Sequence, residues 1–137
     1  MGLLEKRALK AFQDGSYKTL TDEINAIAGY TLEFEVNWDS LAEEGYSTEY
    51  YDENFTKVYF TPLITALKEI TADDMGKEAL KEALKKVIIK NEGGFVYGSS
   101  AYKFGDGILT IDHKSFSNVD NIQERSTELA AILMKNL

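Results

Sequence analysis

The dipeptide Asp106-Gly107, inside the stretch FGDGI, limits the fold more than any other part of the chain. The tightest β-hairpin turn needs positive φ at both central positions, and Asp-Gly is among the pairs that supply it most readily. With these two residues as the loop, Gly105 pairs with Ile108, Phe104 with Leu109, Lys103 with Thr110 and Tyr102 with Ile111. This register gathers Tyr102, Phe104, Leu109 and Ile111 on one face and leaves Lys103 and Asp112 on the other. A slip of one residue would scatter the apolar set, so turn chemistry and side-chain pattern agree. Residues 95–113 are therefore expected to contain an antiparallel hairpin, and the fold must hold a sheet.

The remaining elements are read outward from that hairpin. Leu4, Ala8 and Phe12 predict one helix over about 3–14, stopped by Gly15. Ser16, with Thr19 or Thr21 as alternatives, caps a second helix carrying Leu20, Ile24 and Ile27 and ending at Gly29. YTLEFEVNW (30–38) puts Tyr30, Leu32, Phe34, Val36 and Trp38 on one side and Glu33 and Glu35 on the other, the pattern of a half-buried antiparallel strand with an acidic outer face. DSLAEEG (39–45) fits one helical turn closed by glycine, and FTKVYF (55–60) has strand propensity. Thr61-Pro62 opens a helix bearing Leu63, Leu67 and Ile70. Thr71 and Asp74 form a capping pair for DMGKEALKEALKK, whose apolar line is Leu80, Leu84 and Val87. Residues 87–89 fit either an extension of that helix or a new strand. Asp120 and Gln123 resemble a capping box for a last helix buried through Ile122, Leu129, Ile132 and Leu133. The order ααβ(β)ααββα predicts an α+β fold, in which a small antiparallel sheet of three or four strands packs against about five helices.

The chain's 137 residues suit one domain, spanning 1–137, that buries a core without metal or disulfide support. Hydrophobic residues at 44% and charged residues at 28% are globular rather than disordered proportions. The absence of cysteine removes disulfides, thiolate zinc sites and cysteine nucleophiles together. Charges at Glu5, Lys6, Arg7 and Lys10 interrupt any signal-like apolar core, and no run is long enough for a membrane helix. A cytoplasmic protein is expected.

The net charge of −8 is local. Residues 1–30 and 57–137 are each balanced, whereas residues 31–56 hold Glu33, Glu35, Asp39, Glu43, Glu44, Glu49, Asp52 and Glu53 with no base. Such a field repels nucleic acid and anionic lipid and favours basic partners. Catalytic patterns are weak. His113, the only histidine, lies on the apolar face of its strand opposite Ser100, while the adjacent Asp112 points away and cannot orient the imidazole. No nucleophile elbow occurs. The acids around 39–54 lack EF-hand spacing, and the glycines at 93, 94, 98, 105 and 107 match no phosphate-binding pattern. No cofactor or metal is expected.

The densest feature is EEGYSTEYYDENF (43–55). Tyrosine gives large contact area at small entropic cost, and surrounding carboxylates steer a cationic partner. The reading favoured by sequence is a non-catalytic protein-binding module whose partner is a basic protein, with an immunity or inhibitor protein as its most concrete form. Tyr46, Tyr50 and Tyr51 would be the anchors, and Glu43, Glu44, Glu49, Asp52 and Glu53 would set sign and orientation. Two alternatives stand beside it. One is a small-molecule-binding domain or enzyme with a pocket between helices and sheet. The other is a structural protein that self-associates through a free sheet edge.

Overall fold

The computed structural model describes the whole chain, Met1–Leu137. Its helices are α1 (Leu3–Asp14), α2 (Ser16–Ala28), α3 (Trp38–Leu41), α4 (Tyr51–Phe55), α5 (Thr61–Ile70), α6 (Asp74–Ala83), α7 (Gly98–Ala101) and α8 (Ile122–Lys135). Five of them reach ten residues or more. The strands are β1 (Glu33–Val36), β2 (Lys86–Lys90), β3 (Tyr102–Gly105) and β4 (Ile108–Asp112). They form one sheet in the order β1-β2-β4-β3. The class is α+β, as the sequence predicts. No helix is long and apolar enough to cross a membrane.

The hairpin has the predicted register, Tyr102 to Ile111 through Gly105 to Ile108. Asp106 and Gly107 take φ values of 53° and 80°, the positive pair that the turn requires. The sheet is mixed rather than antiparallel throughout, because β1–β2 and β2–β4 are parallel. Alternation along 30–38 identifies a strand with one buried face but carries no information about the direction of its neighbour. That direction is set by the helical crossover α3–α6, which separates β1 from β2 and lets the two strands run the same way. Residues 87–89 belong to β2, with Val87 and Ile89 fully buried. The preceding helix stops at Ala83, where Tyr30 donates its hydroxyl to the carbonyls of Leu80 (3.0 Å) and Leu84 (2.6 Å).

FTKVYF is helical, not a strand. Residues Thr56–Phe60 form a π turn that joins α4 to α5, so the chain is helical from Tyr51 to Ile70. A π turn winds more residues into each turn than an α-helix. Three consecutive residues, Val58, Tyr59 and Phe60, are thereby completely buried. Tertiary burial overrides the β propensity of these aromatic and branched side chains.

Twenty-seven buried residues form one hydrophobic cluster. An aromatic set joins α1 and α2 to α3, α4 and β1: Tyr17 meets Trp38 edge-on at 4.8 Å and Phe34 at 6.4 Å, and Phe12 meets Phe55 at 5.3 Å. Leu9 and Phe12 are the buried residues of α1, whereas Leu4, expected on that stripe, is 66% exposed. Capping also differs from expectation. Ser16 donates its hydroxyl to Asp52, and α6 is capped by Asp73, which accepts from Gly76 N–H at 2.8 Å. Asp120 accepts from Lys57 Nζ instead of capping α8.

Candidate recognition surface

The acidic segment runs through α3, a turn at Gly45 with φ of 87°, a 3₁₀ turn at Thr48–Tyr50 and α4. Loop residues 113–119 hold it in place. Glu43 accepts from the backbone N–H groups of Ser115 (2.8 Å) and Phe116 (3.1 Å), and Lys114 Nζ lies 3.9 Å from its other oxygen. Above this anchor the ring of Tyr46 stacks on Phe116, with centroids 4.4 Å apart and planes 21° apart. The surface is thus built on a fixed base, which lowers the entropy lost when a partner docks.

The three tyrosines divide. Tyr46 and Tyr50 are 49% and 50% exposed, while Tyr51 is only 1% exposed. Tyr51 packs on Phe55 (5.0 Å) and Phe116 (5.8 Å), and burial together with nearby Glu5 raises its pKa. It is a core residue and cannot anchor a partner. The cause is helical phase: Tyr51, Asn54, Phe55 and Val58 stand at i, i+3, i+4 and i+7, and all four are buried. That spacing is visible in the sequence and is the signal that separates Tyr51 from Tyr50.

The acids divide as well. Glu43 is a strut, and its side chain is largely buried. Glu53 pairs with Lys57 at 3.5 Å, and Asp52 accepts from Ser16. Glu44 and Glu49 are exposed and have no ion-pair partner. Glu5, Glu43 and Glu44 wall a polar concavity of about 380 Å³ next to Tyr46. On the outer face of β1, Glu33 and Glu35 both reach Lys86, at 3.2 and 2.8 Å. The lysine is held above its ordinary pKa by those two bonds, and the strand face is partly neutralised.

A second polar group lies in the interior, and sequence reading located only His113 in it. His113 is fully buried, with Nδ1 2.7 Å from the carbonyl of Lys114. That contact makes Nδ1 the protonated nitrogen, and burial pushes the ring's pKa below its usual value. Ser100 sits in α7 rather than opposite it, and Asp112 faces away, accepting from the N–H groups of Glu92 and Gly93 at 2.8 and 3.0 Å. Tyr59 donates to the carbonyl of His113 (2.5 Å) and so receives the hydroxyl of Ser115 at 2.9 Å.

Arg125 is also fully buried. It donates to the carbonyls of Val119 (2.6 Å), Asn118 (2.7 Å) and Lys57 (3.3 Å), with no carboxylate in ion-pair range. Its burial was legible, since Ile122, Arg125, Ser126, Leu129 and Leu133 share one helix face. His113 Nε2 and Arg125 Nε have no partner, but every bond these groups do make goes to a main-chain carbonyl or to one another, which is the chemistry of a brace. None of the three surface concavities has a residue of the sheet in its wall.

The chain matches no known protein family, no curated protein and no solved structure. What the surface can bind follows from its own chemistry.

Proposed function

We propose that this protein is a non-catalytic binding module that engages a basic protein partner through the surface around Tyr46 and Tyr50. One observation carries the reading. Tyr46, stacked on Phe116, and Tyr50 are both half-exposed in the segment that carries Glu44 and Glu49, two exposed carboxylates with no base to pair. Aromatic anchors supply contact energy, and the unpaired acids raise the encounter rate of a cation. Asp52 and Glu53 extend the negative rim. Glu43 and Tyr51 act beneath it, as strut and floor. The same field disfavours nucleic acid and anionic membrane. An inhibitor of a cationic toxin or nuclease is the most concrete form of this function, and the cysteine-free composition suits the cytoplasm.

The two edge strands, β1 and β3, are only four residues long each and carry Glu33, Glu35 and Lys103. Short, charged edges resist strand pairing, so self-association through the sheet is the weaker reading. The test is a pull-down from native lysate at low and high salt, comparing wild type with Tyr46→Ala/Tyr50→Ala/Glu44→Lys. A basic protein recovered by wild type at low salt, and lost with the variant, is the expected result. Equal recovery by both baits would refute the assignment.

A further inference from the structure

We propose that copies of this chain dock head to tail, with the exposed tip of α1 on one copy seated in an apolar groove at the far end of another. This goes beyond the basic-partner reading and uses neither Tyr46 nor Tyr50. The groove lies where α5 and α8 end and α6 begins. It encloses about 310 Å³ and is walled by Glu69, Ile70, Asp73, Met75, Met134 and Leu137, among others.

Met75 is 81% exposed in the first turn of α6, a helix whose one buried residue is Leu80. The adjoining Gly76 explains how. A Cβ there would lie 1.7 Å from the carbonyl oxygen of Ile70, so glycine alone lets α6 press onto the end of α5. The backbone makes the structural contact and leaves Met75 with no role in the core. Methionine adapts its shape to a guest and is enriched at interfaces. Two of the chain's three methionines stand in this groove.

Charge selects the occupant. Glu69 and Asp73 line the groove, no lysine or arginine does, and neither acid has an ion pair. The fitting guest is an apolar knob flanked by bases. This chain carries one. Leu3 and Leu4 are 61% and 66% exposed on α1; past the half-buried Glu5 come Lys6 and Arg7, which are exposed and have no ion-pair partner, so the bases outnumber the acid on this tip. The groove belongs to α5, α6 and α8, whereas α1 packs on α2, α3 and α4. Each copy therefore offers one knob and one groove at different places. Such a contact is heterologous and builds rings or chains. The net charge of −8 opposes association at long range. Screening to about 8 Å at physiological salt removes most of that repulsion and leaves the local pairs.

The test is sedimentation velocity of the full chain at physiological salt, from micromolar to millimolar concentration. Wild type is expected to rise in apparent mass. Met75→Asp and Leu3→Asp/Leu4→Asp each alter exposed side chains, so both should fold and both should remain monomeric. Mixed together, the two variants retain one intact groove and one intact knob and should form a one-to-one dimer that grows no further. Tyr46→Ala/Tyr50→Ala should associate as wild type does. A wild type that stays monomeric throughout, or variants that fail to complement each other, would overturn the proposal. If a synthetic Leu/Lys peptide then bound the groove of monomeric wild type, the groove would belong to a foreign basic helix.

Discussion

Replacing Arg125 by alanine removes the donors that hold the carbonyls of Asn118, Val119 and Lys57, and empties the space around its stem. The two shorter contacts, at 2.7 and 2.6 Å, matter most. Each is worth roughly 1.5 kcal/mol, since its loss strands a buried carbonyl. The two buried methylenes lost beyond Cβ add about 0.8 kcal/mol each. Opposing this, the guanidinium is a buried charge without a contacting carboxylate, and burial lowers its pKa. Releasing it returns on the order of 2 kcal/mol. Arg125→Ala should then destabilise by about 3 kcal/mol. Arg125→Met keeps the stem and sheds the charge, so it should cost only about 1 kcal/mol. Urea unfolding followed by the fluorescence of Trp38, the only tryptophan, measures both. An alanine variant within about 1 kcal/mol of wild type would refute the brace. A methionine variant as damaged as the alanine one would refute the desolvation cost.

Stability should also depend on His113. Its folded pKa lies below the ordinary 6.5, because burial penalises the charged ring, with a smaller repulsion from Arg125 acting in the same direction. Its contribution is complete above that ordinary value and is lost as pH falls through it towards the folded value, since the unfolded chain takes up the proton first. Urea midpoints measured from neutral to mildly acidic pH should fall for wild type and stay flatter for His113→Gln. The adjacent tyrosines should behave oppositely. Tyr50→Ala should change stability by less than about 0.5 kcal/mol, whereas Tyr51→Ala should cost about 3–4 kcal/mol by opening a core cavity. Thermal melts of the pair decide this, and equal losses would contradict the burial assigned to each.

The hairpin was legible because Asp106-Gly107 and the alternation around it are local signals that act together. The buried face of residues 32–36 was legible for the same reason. The parallel pairing of β1 and β2 was not, since it depends on a crossover of nearly fifty residues and leaves no mark on either strand. FTKVYF misled because its side chains suit a strand and a fully buried helix equally, and only the neighbours decide. At the candidate surface, position along the chain located the acids, but their use depends on distant partners. Nothing near Glu43 in sequence reveals that it will hold the backbone of Ser115 and Phe116.

The π turn at Thr56–Phe60 has a consequence for how this protein can vary. A regular α-helix turns about 100° with each residue, so its two ends keep a fixed angular relation. Here one rod serves two audiences: Tyr51 and Phe55 face the aromatic set near Phe12 and Phe116, while α5 faces α8. The widened turn supplies the angular offset between them. Shortening it by one residue would leave an unbroken helix that fits only one of its two neighbours at a time. In a lineage of such chains, side chains along this rod could drift, but its length could not.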